Sequence, residues 1–137
     1  MKPWSAIVIT SLAACADGGT EVPLDGDPAL FAAVQANVFR GCGGVGARTC
    51  HESEPFQGGL DLSTAGAWDA LVEVEAANGA GVLVVPGNAK ASFLWRKLTN
   101  ELDADEGDPM PPATPFVPLK TDQLDAVKAW IEAGAPR

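Results

Sequence analysis

The chain has 137 residues, 47% of them hydrophobic, and a formal net charge of −9. That length supports one domain with a modest core rather than two, and the apolar content excludes wholesale disorder. The acidic balance excludes nucleic acid as a partner class, because phosphate binding needs clustered Lys and Arg; it suits solubility and docking to basic partner proteins.

The chain opens with Met1 and Lys2, a short positive start, followed by an apolar run over residues 6–12. This run has signal-peptide length and is too short to span a bilayer as a mature helix. It ends in Leu12, Ala13, Ala14 and Cys15, which resembles the lipobox of bacterial lipoproteins. The resemblance implies that residues 1–14 are a signal peptide and that Cys15 is acylated and becomes the new N-terminus. Loss of Lys2 would leave the mature chain more acidic still. The same residues also read as an ordinary leader cut near Ala14, or as a misplaced start codon. Residues 16–26 are rich in Gly, Asp, Thr and Pro without periodicity, so residues 15–26 are expected to be a lipidated Cys and flexible tether. The expected location is the exported side of a membrane, periplasmic or at the cell surface, held there by lipid. Residues 27–137 remain for the folded domain.

Asp27 can cap a helix and Pro28 suits its first position. Leu30, Phe31, Val34, Val38 and Phe39 recur at helical spacing, and Gly41 stops the pattern. Residues 41–59 are glycine-rich and irregular, a length of loop that in a small domain usually has a function. Ser63 is placed to cap a short helix through Trp68, Leu71 and Val72. Residues 79–87 form a loop around the apolar Val82, Leu83, Val84 and Val85, the one stretch that could be extended. A third helix fits residues 89–100, with Phe93, Leu94 and Leu98 inward. Residues 103–108 are an acidic loop, expected to be solvated and only weakly like a calcium loop. Met110, Pro111 and Pro112 follow. Thr121 is placed to cap a last helix carrying Leu124, Val127, Trp130 and Ile131, ended by Gly134 and Pro136. The expected fold class is all-α, about four short helices joined by long loops.

The chemistry centres on Cys50 and His51. In Cys-x-x-Cys-His sequences the cysteines attach a haem and the adjacent His reaches its iron. Here the cysteines are Cys42 and Cys50, separated by the seven residues 43–49, so a glycine-rich loop must bulge out if both sulfurs meet one ring. A chain of three cysteines leaves one over; lipid on Cys15 accounts for it and leaves Cys42 and Cys50 as a pair, either disulfide-bonded or bound to a group. After Met1, the sole methionine is Met110. A thioether beside stiffening prolines in an acidic loop is a poor core candidate and suits a side chain held toward a metal.

Taken together, these features resemble the cytochrome c-like domains of exported proteins of planctomycete and myxobacterial type. Carrying the resemblance are Val38 and Phe39 before Cys42; Cys50–His51; residues 58–63, Gly-Gly-Leu-Asp-Leu-Ser; Val85, Pro86, Gly87 and Asn88 with Ser92, Phe93 and Leu94; residues 110–112, Met-Pro-Pro; and Leu124 with residues 130–136. The resemblance implies a cytochrome c fold with its first and last helices crossing beside the cofactor. It implies haem c joined through Cys42 and Cys50, with His51 as proximal and Met110 as distal iron ligand. It implies one-electron transfer to redox partner proteins with no substrate turned over. Phe39, Trp95 and Trp130 could line the ring, and Arg48 or Arg96 could meet a propionate.

Two other readings stay open. Cys42 and Cys50 could form a disulfide in a haem-free binding or scaffold module, closing a short loop for about 2–3 kcal/mol. Cys42, Cys50, His51 and Met110 are also soft ligands that suit a copper carrier. Enzyme catalysis has little support, since no Ser-His-Asp pattern, phosphate loop or standard zinc spacing is present.

Overall fold

Helical periodicity becomes helix at both ends of the domain. In a computed structural model of the chain, residues 31–39, 51, 57–62, 66–112 and 118–137 are described. Among them, four α-helices occur: α1, Phe31–Val34; α2, Ala67–Leu71; α3, Phe93–Thr99; and α4, Thr121–Glu132. The only β features among the described residues are two isolated bridges, so the fold is all-α. The expected caps Asp27 and Ser63, and Cys15, Cys42, Arg48 and Cys50, lie outside the described residues.

The first and last helices pack together, as their apolar stripes require. The Phe31 ring lies 5.3 Å from that of Trp130 at 45°. Val34, Val38, Leu71, Val84, Val127, Trp130 and Ile131 are all fully buried. The first helix does not stay α: it widens into a π turn over Gln35–Phe39. Such turns re-aim side chains and often occur at functional sites; here the adjacent Val38 and Phe39 are both buried.

The apolar stretch before Pro86 is extended. Val84 bridges Val72 in parallel and Val82 bridges Glu75 in antiparallel fashion. Val72 therefore leaves α2 rather than continuing it, with ψ 123° at that helix's C-cap. At the other end of α2, Gly66 occupies the N-cap position without a side-chain cap bond.

Helix α3 begins at Phe93 rather than at residue 89. Asn88 draws the chain into a turn first, its Oδ1 accepting from the Ala91 amide at 3.1 Å. Buried Ser92 then donates from Oγ to the Asn88 carbonyl at 2.8 Å and accepts from the Val85 amide at 2.9 Å. Those local bonds compete with helix. The first α3 amides are taken up by the extended segment instead: Phe93 N–H by the Val82 carbonyl and Leu94 N–H by the Leu83 carbonyl, each at 2.9 Å.

In α4 the N-cap residue is Lys120 and not Thr121. Its amide donates to Gln123 Oε1 at 3.0 Å, half of a capping box. The C-terminus follows the expectation. Gly134, with φ 97°, lets the Gly134 amide reach Ile131 O at 3.0 Å and the Ala135 amide reach Trp130 O at 2.9 Å, a Schellman turn. Two indoles hold this turn: Trp130 Nε1 donates to Pro136 O and Trp68 Nε1 to Ala135 O, both at 2.8 Å. Arg137 pairs with Asp69 and lies over the Trp68 ring, 4.6 Å from its centroid.

Candidate functional site

A cavity of about 320 Å³ lies between the first helix, α3 and the loops on either side. Val38, Phe39, Leu60, Leu83, Leu94 and Leu98 are among its apolar walls, and both His51 and Met110 line it. An imidazole and a thioether from distant parts of the chain thus share one largely apolar space, the type of site that takes a flat hydrophobic ligand.

His51 is held by main-chain bonds on both sides. Its Nδ1–H donates to the Leu60 carbonyl at 2.9 Å; a carbonyl can only accept, so Nδ1 carries a proton and Nε2 is the ring nitrogen not engaged by this bond. Its carbonyl accepts from the Leu62 amide at 2.9 Å. Leu62 O in turn accepts from Gln35 Nε2 of the π turn at 3.2 Å, which ties the His51 segment to the first helix. Gly58 and Gly59 have φ of 63° and 71°, the left-handed region that L side chains resist, and this turn delivers Leu60 to the imidazole. A ligating His commonly donates its second ring nitrogen to a carbonyl, which fixes the tautomer.

Met110 comes from the loop after α3, and its amide donates to the Lys97 carbonyl at 2.9 Å. The loop is solvated at Asp103, Asp105 and Asp108, as its composition suggests, but not at Glu106. Glu106 is only 8% exposed; it pairs with Arg96 and accepts from the Asp103 amide at 2.8 Å. The remaining carboxylates, Asp103, Asp105 and Asp108, are exposed. Among the described residues, no group of three or more His, Cys, Asp and Glu side chains is placed to hold a metal ion. Glu106, the carboxylate that turns inward, is paired with a guanidinium, and the weak likeness to a calcium loop gains no support among the described residues.

The same pairing corrects the expectation for Arg96, which is occupied by Glu106 and does not line the cavity. Trp95 and Trp130 do not line it either, since Trp130 is sealed in the core and Trp95 packs against it; Phe39 does line it. Among the described residues, the cation that lines the cavity is Lys97. Lys97 stands four residues after Phe93 and three after Leu94, on the inward face of α3, a spacing that does not by itself separate it from a solvated lysine.

The Arg96 side chain, followed by the Asp103 amide, holds the Glu106 carboxyl below its usual range. A carboxylate depressed in the folded state contributes stability that is fully present above its unfolded pKa, about 4.3, and is lost as pH falls through the folded value. Glu106→Gln is therefore expected to lower the melting temperature at neutral pH and to flatten its decline below about pH 5. Melting curves collected from neutral to acid pH check this; parallel declines for the two proteins would remove Glu106 as a contributor.

No match to the chain is found among the curated proteins or among the solved structures. Residues 48–114 match the family described as Planctomycete cytochrome C. The matched range contains Cys50, His51 and Met110, and begins after Cys42. Much of the cavity lining, His51 and Met110 included, thus falls in a stretch similar to that family, whereas Val38, Phe39 and Leu119 lie outside it.

Proposed function

We propose that this protein is an exported, lipid-anchored electron carrier that binds one haem c, with His51 and Met110 as the axial ligands of its iron. The supporting observation is that both side chains line the same apolar cavity, with the His51 ring oriented through Nδ1 by the Leu60 carbonyl. The donor set suits the group: a neutral imidazole and a neutral thioether are the pair that raises the potential of a cytochrome c iron. Bound haem would supply a reversible one-electron couple.

In this reading the residues have distinct tasks. The Leu60 carbonyl orients the His51 ring and raises its basicity. Val38, Phe39, Leu83, Leu94 and Leu98 exclude water, and a dry surround disfavours added charge. Cys42 and Cys50 would add their thiols across the vinyl groups, forming carbon–sulfur bonds with no net redox change. Cys15 would carry the lipid. Docking would be to redox partner proteins with basic faces, steered by the acidic surface. No substrate is turned over.

The experiment is expression with export and haem-attachment machinery, followed by absorption spectroscopy and denaturing mass. A Soret band with haem mass retained supports the carrier. A colourless protein two hydrogens lighter than the reduced chain points to the haem-free disulfide module, and copper on metal analysis points to the copper reading. The pyridine haemochrome band, which shifts with the number of saturated vinyl groups, reads whether one or both of Cys42 and Cys50 are joined. Met110→Ala is expected to keep haem bound and to lower its potential, read by redox titration; an unchanged potential would dismiss Met110 as a ligand.

A further inference from the structure

We propose that Lys97 is a positioning residue for Met110: its ammonium and its own carbonyl together hold residues 106–110 against α3 so that the thioether is presented to the cavity. The inference rests on the ligation reading above and adds the device that keeps the distal ligand in place.

Three bonds from one residue carry it. Lys97 Nζ donates to the Glu106 carbonyl at 2.7 Å and to the Asp108 carbonyl at 2.8 Å. The Lys97 carbonyl accepts from the Met110 amide at 2.9 Å. The loop is therefore stitched to the side chain and the backbone of the same helical residue, at positions four, two and zero residues from the thioether. An ammonium has three donors, and two are committed to the loop, so Lys97 acts through the loop rather than as a free charge in the cavity. Its Nζ also lies over the Phe93 ring, 5.2 Å from the centroid, which fixes the direction of the side chain.

The loop is shaped for this. Gly107 has φ 79°, and a Cβ built there would stand 3.5 Å from Lys97 Nζ; the left-handed residue allows the Glu106 and Asp108 carbonyls to converge on one ammonium. The adjacent Arg96 clasps the Glu106 carboxylate, so consecutive cations of α3 hold both the side chain and the main chain of Glu106. Burial pushes the Lys97 ammonium down from its usual pKa, against the opposing pull of Asp108 and Glu106, as expected for a charge drawn toward an apolar space and satisfied there by carbonyls.

The test compares the haem-loaded full chain with its Lys97→Leu and Met110→Ala variants. Three quantities are measured: exchange of the Met110 amide, affinity of the ferric protein for added imidazole, and reduction potential. Loss of charge-assisted bonds to the loop is expected to speed Met110 amide exchange by about tenfold or more in Lys97→Leu. Imidazole affinity should rise by a similar factor, and the potential should move toward that of Met110→Ala. A merely structural lysine would leave affinity and potential where they are. If Lys97→Leu keeps wild-type exchange, imidazole affinity and potential, the positioning role is overturned. If instead Met110→Ala matches wild type in potential and imidazole affinity, the ligation reading has failed, and the exchange measurement still decides whether Lys97 holds the loop. Should Lys97→Leu not accumulate folded, Lys97→Gln, which also removes the charge, is measured in the same way and judged by the same outcomes.

Discussion

Replacing His51 by alanine in the haem-loaded, exported chain is expected to abolish any low-spin absorption spectrum while leaving the helical circular dichroism in place. His51 is the only histidine in the sequence, so no second imidazole can take its role. Its structural share is small by comparison. The carbonyl that receives the Leu62 amide survives in alanine, and the lost side-chain bond to Leu60 is worth about 1 kcal/mol. Spectrum and fold should therefore separate. Imidazole added to the buffer should restore part of the low-spin signal, because the vacated space has the shape of the missing ring. A variant that keeps the wild-type spectrum would exclude His51 from the coordination sphere.

The largest expected effect on stability is at Trp130. It is fully buried, stacks obliquely on Phe31, and anchors the C-terminal turn through its indole N–H. Trp130→Ala opens a cavity between the first and last helices and leaves the Pro136 carbonyl without its donor. Large aromatic truncations in cores cost about 3–5 kcal/mol, set against a total stability of about 5–15 kcal/mol for a domain. Equilibrium denaturation of the purified protein should show the midpoint falling by a corresponding share. A loss below about 1 kcal/mol, the size of one hydrogen bond, would mean that the Phe31–Trp130 contact does not hold the two helices together.

Both ends of the domain were readable because their signals are local. Phe31, Val34, Val38 and Phe39, and again Val127, Trp130 and Ile131, repeat at the helical period, and the structure buries each of them. Gly134 after the last helix reads as a stop and is one. The middle was less readable because its structure depends on partners far along the chain. Val72 leaves α2 to meet Val84, a pairing that no window around residue 72 contains. Helix α3 starts late because Ser92 spends its hydroxyl on Val85 and Asn88. Glu106 reads as one more surface acid in a run of acids, and becomes internal only because Arg96 is brought beside it. At the site, His51 and Met110 were legible by residue type and order. Their convergence on one cavity was not, and neither was Lys97, since a lysine within an apolar stripe has no mark in the sequence to separate it from a solvated one.

The amides that begin α3 end on carbonyls of residues 82 and 83, and this has a kinetic corollary. A seven-residue helix is too short to persist alone in water, so α3 should gain its order only after the preceding extended segment has docked. Mutations that loosen this extended segment, at Val82 or Val84, should accordingly slow refolding and disturb the Met110 side of the cavity together, although both residues lie far from Met110 in the sequence.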